Sequence, residues 1–346
     1  MEASRRRWLQ GLGLAWASVL APPVVFAAPD PARRPLAALL LPLSGASADL
    51  ARSMAQAAAL AQGAATAKTV LPVFDTGGTP EGAARAATAA LKAGVPLLLG
   101  PLFGREIAAV AAVAGGVPVL AFSNDLAAPR GAAFLLGVTA AQAVEAVLGY
   151  ARRRGVRRVA VVADASGWGG QGAAAARAVA GDIGIELTAT TFEALRGMAP
   201  DALPDAVLVT GGGPALGAAA RELKAAGVQL LATLQATEAT PAGLAALDGA
   251  WCAAPDPERF AEFARLYEAR HGATPGVLAG LAYDAVGIAR AMRAAGLSTR
   301  EGLLRTSGFG GATGTVRFAR DGSGARDLAV LVAEGGTLRV VERSSA

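Results

Sequence analysis

Cysteine and histidine are all but missing: the 346 residues hold one of each, Cys252 and His271. A lone cysteine excludes a disulfide within the chain. Neither residue has the neighbours that a metal centre, a Cys/His pair or a Ser/His/Asp relay needs, so no metal and no hydrolytic centre is expected. Aromatics reach only 5% and the formal net charge is a mild +5. A nucleic-acid surface needs a denser basic stripe with stacking rings. The clustered arginines, Arg152 to Arg154 with Arg157 and Arg158, flank Gly155 and read as solvated charge at a helix end. No glycine-rich loop runs into Gly-Lys-Ser/Thr, so there is no Walker cradle for a phosphate. Nucleic acid, metal and cofactor are therefore left out of the expected partners, and no enzymatic activity is expected.

What the chain has is Ala, Gly, Leu and Val, within a composition that is 53% hydrophobic. That suits tight helix-on-sheet packing, in one large or two medium domains. Residues 1–28 read as an export signal. Arg5-Arg6-Arg7-Trp8-Leu9 resembles the twin-arginine pattern, and Gly11 to Phe26 is an apolar stretch interrupted by Pro22-Pro23. The stretch is too short and too broken for a membrane anchor. Val25-Phe26-Ala27 places cleavage after Ala27, giving a signal peptide over 1–27 and a periplasmic mature protein. The signal holds three arginines and Glu2, so its loss lowers the net charge from +5 to +3.

The mature chain is organised around Val95 to Asp125. Gly94-Val95-Pro96 leads into Leu97-Leu98-Leu99, and Gly116-Val117-Pro118 leads into Val119-Leu120-Ala121. Such continuous apolar runs suit strands buried on both faces of a parallel sheet. A short Ala/Val helix over Arg105 to Ala114 joins them in a right-handed βαβ unit. The loops Gly100 to Gly104 and Phe122 to Asp125 then lie at the carboxyl ends of neighbouring strands, where open α/β sheets bind ligands. The same alternation runs from Leu36 to Val138 and again beyond Thr139, so two lobes are expected.

Gly167-Trp168-Gly169-Gly170-Gln171-Gly172 formally matches G-x-G-x-x-G, within a glycine-rich loop predicted over Asp164 to Gly172. Asp164-Ala165-Ser166 delays the first glycine past the strand, and Trp168 puts a large ring where a dinucleotide must approach, so a nucleotide-dependent enzyme remains only a remote alternative. Pro255 to His271 is predicted as a helix whose Phe260, Phe263, Leu266 and Tyr267 face a core. Val277 to Ala295 is a second long helix. Antiparallel strands over Val316 to Phe318, Leu328 to Val332 and Leu338 to Val341 close a mixed sheet.

In their order and spacing, several segments resemble the type I periplasmic binding proteins, and within them the leucine/isoleucine/valine-binding branch of ABC-transporter substrate-binding proteins. They are Leu39 to Gly45, Gly100-Pro101-Leu102, Val117 to Leu120, Asp164 to Gly172, Tyr283-Asp284-Ala285-Val286 and Gly311 to Phe318. Ser123-Asn124-Asp125 also resembles the branch of penicillin-binding-protein activators. The resemblance implies an α/β fold of two Rossmann-like lobes with mostly parallel sheets joined by three crossovers, residues 35–138 plus 255–307 in one lobe and 139–254 plus 308–346 in the other. It implies a small polar ligand, amino-acid-like or related, held in the cleft by Ser44, Leu102, Phe103, Gly104, Ser123, Asn124, Asp125, Trp168, Gly211 and Gln235. The implied partner is an ABC-transporter membrane component; the alternative is an envelope protein bound by a cell-envelope regulator. A monomer is expected.

The chain departs from the family where an α-amino acid is clamped. Gly104 and Asn124-Asp125 stand where hydroxyl-bearing residues are usual, and Gly211-Gly212-Gly213 replaces acidic and aromatic groups. Backbone N–H groups of Phe103 and Gly104 are expected to hold an anionic group instead. Asp125 either contacts ligand or caps a helix. Trp168 either stacks on ligand or packs beneath its own loop. If Arg5 and Arg6 form a twin-arginine signal, changing both to Lys leaves precursor in the cytoplasm on immunoblots of fractionated cells; normal processing would assign the general secretory route.

Overall fold

The apolar runs become strands because their side chains find cover on both faces of a sheet, and the alanine-rich stretches between them become the helices that supply the cover. The computed structural model describes residues 34–62, 69–128, 131–212, 214–233, 235, 241–297 and 299–343. The expected signal peptide lies outside the described residues. In chain order the first part comprises β1 (Arg34–Pro35), β2 (Ala38–Leu41), α1 (Ala48–Gln62), β3 (Thr69–Val70), β4 (Val73–Asp75), α2 (Pro80–Lys92), β5 (Leu98–Leu99), α3 (Gly104–Val113), β6 (Val119–Ala121) and β7 (Phe134–Leu135). The second comprises α4 (Ala140–Arg153), β8 (Arg158–Val162), α5 (Gly167–Ala180), β9 (Glu186–Ala189), α6 (Phe192–Arg196), β10 (Ala206–Val209), α7 (Pro214–Ala225), β11 (Gln229–Ala232), α8 (Pro241–Ala246) and β12 (Trp251–Ala254). Then follow α9 (Pro257–His271), α10 (Val277–Ala294), α11 (Arg300–Leu303), β13 (Val316–Phe318), β14 (Gly324–Arg326), β15 (Ala329–Glu334) and β16 (Thr337–Arg343).

Two sheets organise these elements. The first has the order β4-β2-β5-β6-β7 and is parallel throughout. The second has the order β16-β15-β12-β11-β10-β8-β9, parallel except for β15 and β16, which close one edge antiparallel. This is the two-lobed, mostly parallel α/β architecture implied by the sequence. One face of the first sheet is covered by α1 and α10, which come from opposite ends of the chain. They dock through alanines: Ala51, Ala58 and Ala61 on α1, and Ala282, Ala285 and Ala289 on α10, all buried. The other face carries α2 and α3.

Leu266, expected on the core face of α9, is 47% exposed, on the flank of the stripe that Phe263 and Tyr267 bury. Two further expectations change. The glycine-rich stretch after β8 is the first turn of α5 rather than a loop, because Ser166 caps it, its hydroxyl accepting from the N–H of Gly169 at 2.9 Å. The glycines there answer to neighbouring side chains: a Cβ on Gly169 would strike the Asp164 carboxylate, and one on Gly172 would lie 2.9 Å from Thr210. No phosphate cradle is formed. The second change is at residue 308, the expected start of the return to the second lobe. Phe309, Val316 and Phe318 belong instead to the core of the first lobe, and the Phe318 ring packs edge-on against Phe134 with centroids 5.5 Å apart. β13 therefore pairs with β14 as a separate hairpin on the first lobe, and the chain crosses over only at Asp327, just before β15.

A buried charge network sits where these passages meet. Arg326, only 2% exposed, donates from Nη1 to the Thr313 carbonyl at 3.2 Å and to its hydroxyl at 2.6 Å. Its Nη2 donates to the carbonyl of Leu136, at the first passage between lobes. The Thr313 hydroxyl in turn donates to Asp284 of α10, whose carboxylate also accepts from the N–H groups of Ala312 at 2.6 Å and Thr313 at 2.9 Å. Burial pushes the Arg326 guanidinium down to about 10, with Asp284 and Asp327 opposing the shift, so it stays charged at neutral pH. Thr313→Val keeps the shape and removes the bridge. It should lower unfolding free energy by about 1–3 kcal/mol in urea titrations, the cost of leaving buried polar partners unsatisfied; an unchanged midpoint would remove the network from the account of stability.

Candidate functional site

At the carboxyl edge of the first sheet, four loops converge. Asp75, the last residue of β4, accepts through Oδ1 from the N–H groups of Leu43 at 2.8 Å, Ser44 at 3.3 Å and Gly77 at 2.8 Å. Burial alone would raise its carboxyl, but the Gly77 N–H, the Ser44 hydroxyl and the N–H groups of Ser44 and Leu43 hold it below the ordinary value. Ser44 itself is exposed. In the next loop Arg105 lies over the Phe103 ring, 4.3 Å from its centroid, and donates to the Gly78 carbonyl at 2.8 Å. That ties the loop after β4 to the start of α3. Leu102 is buried in the core beneath, while Phe103 and Gly104 are half-buried.

The start of α3 is already filled by the chain's own carboxylates. Glu106, fully buried, reaches back so that Oε2 accepts from the Phe103 N–H at 3.1 Å. Its Oε1 has no hydrogen-bond partner among the described residues. Asp125 packs onto Gly104 so closely that a Cβ there would lie 2.5 Å from Oδ2. The other Asp125 oxygen accepts from the Ala127 N–H at 2.9 Å, and the Asp125 N–H donates to the buried Ser123 hydroxyl at 3.0 Å. Of the two residues expected to hold an external anion, Phe103 already gives its N–H to Glu106, and the Asp125 carboxylate lies against Gly104. Asn124, between Ser123 and Asp125, is exposed.

A second cluster forms at the carboxyl edge of the other sheet. The Trp168 indole N–H donates to the Thr233 hydroxyl at 3.0 Å, with the ring half-buried in the first turn of α5. Thr233 donates to the Thr210 carbonyl at 3.3 Å, and the Thr210 hydroxyl donates to the Gly169 carbonyl at 2.9 Å. Asp164 accepts from the Ser166 N–H at 3.1 Å and leans over Gly211, where a Cβ would strike it. Gln235 sits beside Gly212, its Cβ 3.2 Å from where a Cβ on that glycine would be. The structure therefore brings Ser44, Phe103, Gly104, Ser123 and Asp125 together in one lobe and Trp168, Gly211 and Gln235 in the other.

Sequence reasoning missed Asp75, Glu106, Asp164, Thr210 and Thr233 as members of these clusters. For four of them a signal existed: each is a polar residue closing or directly following an apolar strand, as in Val73-Phe74-Asp75, Val161-Val162-Ala163-Asp164, Leu208-Val209-Thr210 and Leu231-Ala232-Thr233. Glu106 gave none, since an acidic residue in the first turn of a helix is ordinary. Among the described residues, no group of His, Cys, Asp and Glu could hold a metal ion, and no helix is long and apolar enough to cross a membrane.

Residues 37–337 match the family model for periplasmic binding proteins. No curated protein matches the sequence. Among solved structures, a candidate branched-chain amino acid ABC transporter protein from Rhodospirillum rubrum is 23% identical with a TM-score of 0.76, covering 89% of this chain and 100% of that one. The C-domain of LpoA (YraM) from Haemophilus influenzae, a regulator of PBP1A, is 18% identical with a TM-score of 0.71, covering 88% and 99%. A leucine-binding protein, LivK, from Thermotoga maritima is 20% identical with a TM-score of 0.60, covering 90% and 98%. At these identities the likeness is one of fold.

Burial raises the Glu106 carboxyl above the ordinary glutamate range, against the Phe103 N–H, the Thr76 hydroxyl and Arg105, which lower it. A raised folded value means that the acid's contribution to stability is full at low pH and is lost as pH rises through that value. Glu106→Gln keeps an acceptor for the Phe103 N–H and cannot ionise. It should match the parent in urea midpoint near about pH 4 and exceed it near about pH 7.5; equal midpoints at both would show that Glu106 is not strained by burial.

Proposed function

The chain belongs to the periplasmic binding protein family, and we propose that it is an exported solute-binding protein that captures a small polar ligand between its lobes for the membrane component of an ABC importer. The observation that carries this reading is the gathering of hydrogen-bonding side chains at the carboxyl ends of parallel strands in both sheets: Asp75, Ser123 and Asp125 in one, Asp164, Thr210 and Thr233 in the other. Ligand sites combine apolar walls with a few such groups. Asn124 contributes hydrogen bonds from one lobe, and Trp168, its indole oriented by Thr233, contributes a stacking face from the other. Closure follows because only the closed form lets one ligand touch both lobes.

The start of α3 narrows the ligand's chemistry. A free α-carboxylate placed against Phe103 and Gly104 would meet the Asp125 carboxylate, a group of its own sign, and would have to displace Glu106 from the Phe103 N–H. The ligand accordingly presents a neutral donor or a positive group to this lobe. The same filled position favours a second reading, an envelope regulator that binds a protein and has no need of an amino-acid clamp, as the LpoA domain regulates PBP1A.

Native mass spectrometry of the purified protein should show a co-purified small molecule without a free carboxylate, and calorimetric titration with leucine, isoleucine and valine should give no heat of binding. Trp168→Ala should weaken binding of that molecule about 10–100-fold, the scale of a stacked aromatic anchor, with the far-UV spectrum preserved. Tight leucine binding would overturn the ligand class, whereas an empty protein that captures an envelope protein would install the second reading.

A further inference from the structure

Several acids elsewhere in the fold are matched by bases. Asp205 pairs with Arg158 at 3.3 Å, Glu222 with Arg196 at 2.7 Å and Asp248 with Lys224 at 2.7 Å. The acids at the carboxyl edges of the two sheets are not matched in this way. Among the described residues, Asp75 is met by N–H groups of Leu43, Ser44 and Gly77, Asp125 by that of Ala127, and Asp164 by the N–H and hydroxyl of Ser166. Arg105, the base beside the first group, is engaged with the Phe103 ring and the Gly78 carbonyl.

A separate observation comes from beneath the first group. Glu106 is 0% exposed, and its carboxylate is turned back on the loop at Phe103, whose N–H it takes at 3.1 Å through Oε2. Oε1, on the same carboxylate, has no hydrogen-bond partner among the described residues. A buried oxygen left unpaired is costly, and charge of one sign gathered along a cleft raises the local concentration of its opposite. Both features call for positive charge from outside the chain.

The second lobe adds the shape of the ligand. Trp168 spends its indole N–H inward on Thr233, at 3.0 Å, so the ring offers an incoming molecule its π face and not a donor. Such a face suits a cation or the methylenes beside one. Asp125 is half-buried and Asp164 exposed, which leaves both open to a ligand before the lobes close. Closure without a ligand would bring carboxylates of the two lobes toward each other, and like charges resist that approach. A molecule positive at one end would answer one lobe only.

We propose that the ligand is a linear organic dication, an alkane chain with an ammonium at each end, one seated on Asp125 above Glu106 and the other on Asp164 beside the Trp168 face. This rests on the solute-binding reading and names the ligand class of that same site. The ligand stabilises the closed form because it replaces a repulsion between the lobes with an attraction to each.

The probes are α,ω-diaminoalkanes with three to six carbons between the nitrogens, titrated calorimetrically into the mature protein beside butylamine, 1,4-butanediol and succinate. The best diamine should bind at least about 10-fold more tightly than butylamine, the discrimination expected of one further charge-assisted contact, and the diol and succinate should give no heat. X-ray scattering should show compaction with the diamine. Asp125→Asn and Asp164→Asn keep acceptors for Ala127 and Ser166, so the fold should hold in far-UV spectra, and each should bring the diamine down to about the affinity of butylamine. Diamine binding equal in the parent and both variants, or no preference for diamine over butylamine, overturns the proposal. A neutral co-purified molecule that compacts the protein, with every diamine inert, overturns the dication and keeps the solute-binding reading. A protein that carries no small molecule, ignores the diamines and captures an envelope protein overturns both.

Discussion

A guanidinium removed from water must be given partners, and around Arg326 those partners come from segments far apart in the chain. Leu136 belongs to the first passage between lobes, Asp284 to the helix that follows the second, and Thr313 to the segment that leads into the third. A purely apolar junction could slide, because dispersion contacts have little directional preference. A bridged charge pair has one satisfactory geometry and a steep cost for any other. The first lobe is thus held in one arrangement at the residues from which the chain passes to the second. Glycine makes the junction possible: a Cβ on Gly311 would strike the Asp284 carboxylate, and Gly314, at φ 106°, adopts a backbone conformation that other residues rarely reach.

The sheets were legible because buried parallel strands write themselves as unbroken apolar runs. Leu39-Leu40-Leu41 and Leu97-Leu98-Leu99 admit few other readings, and the alternation with alanine-rich helices fixes the fold class. Illegible were features set by contacts across sequence. Nothing local in Gly167 to Gly172 says whether glycine is there for a ligand or for a neighbour; Asp164 and Thr210, 41 residues away from Gly169 in the latter case, decide it. Val316 to Phe318 could be read as strand but was placed with the second lobe, because its anchor, Phe134, lies far back in the chain.

The strand-edge loops show how far a motif carries. Their positions followed from topology alone, and the structure gathers them in two clusters as topology demands. Their chemistry did not follow. A helix start is ordinarily an invitation to an anion, and Phe103-Gly104 looks like one until Glu106 and Asp125 are seen to occupy it. The same backbone frame can therefore serve ligands of opposite charge, depending on whether the chain brings its own carboxylates to the frame.

The alanine interface between α1 and α10 has a consequence for how this protein tolerates change. Burying alanine costs no rotamer freedom, so the two helices gain close contact with little entropic penalty. Each methyl contributes little by itself, and trimming one to glycine removes little apolar area. Enlargement is the hazard: at Ala58 or Ala285, both fully buried, any added methylene must push two helices apart or leave its rotamer well. In most cores the damaging substitutions are those that make a hole. Along this seam the asymmetry is reversed: the change that makes a hole is the mild one, and the change that adds volume does the damage.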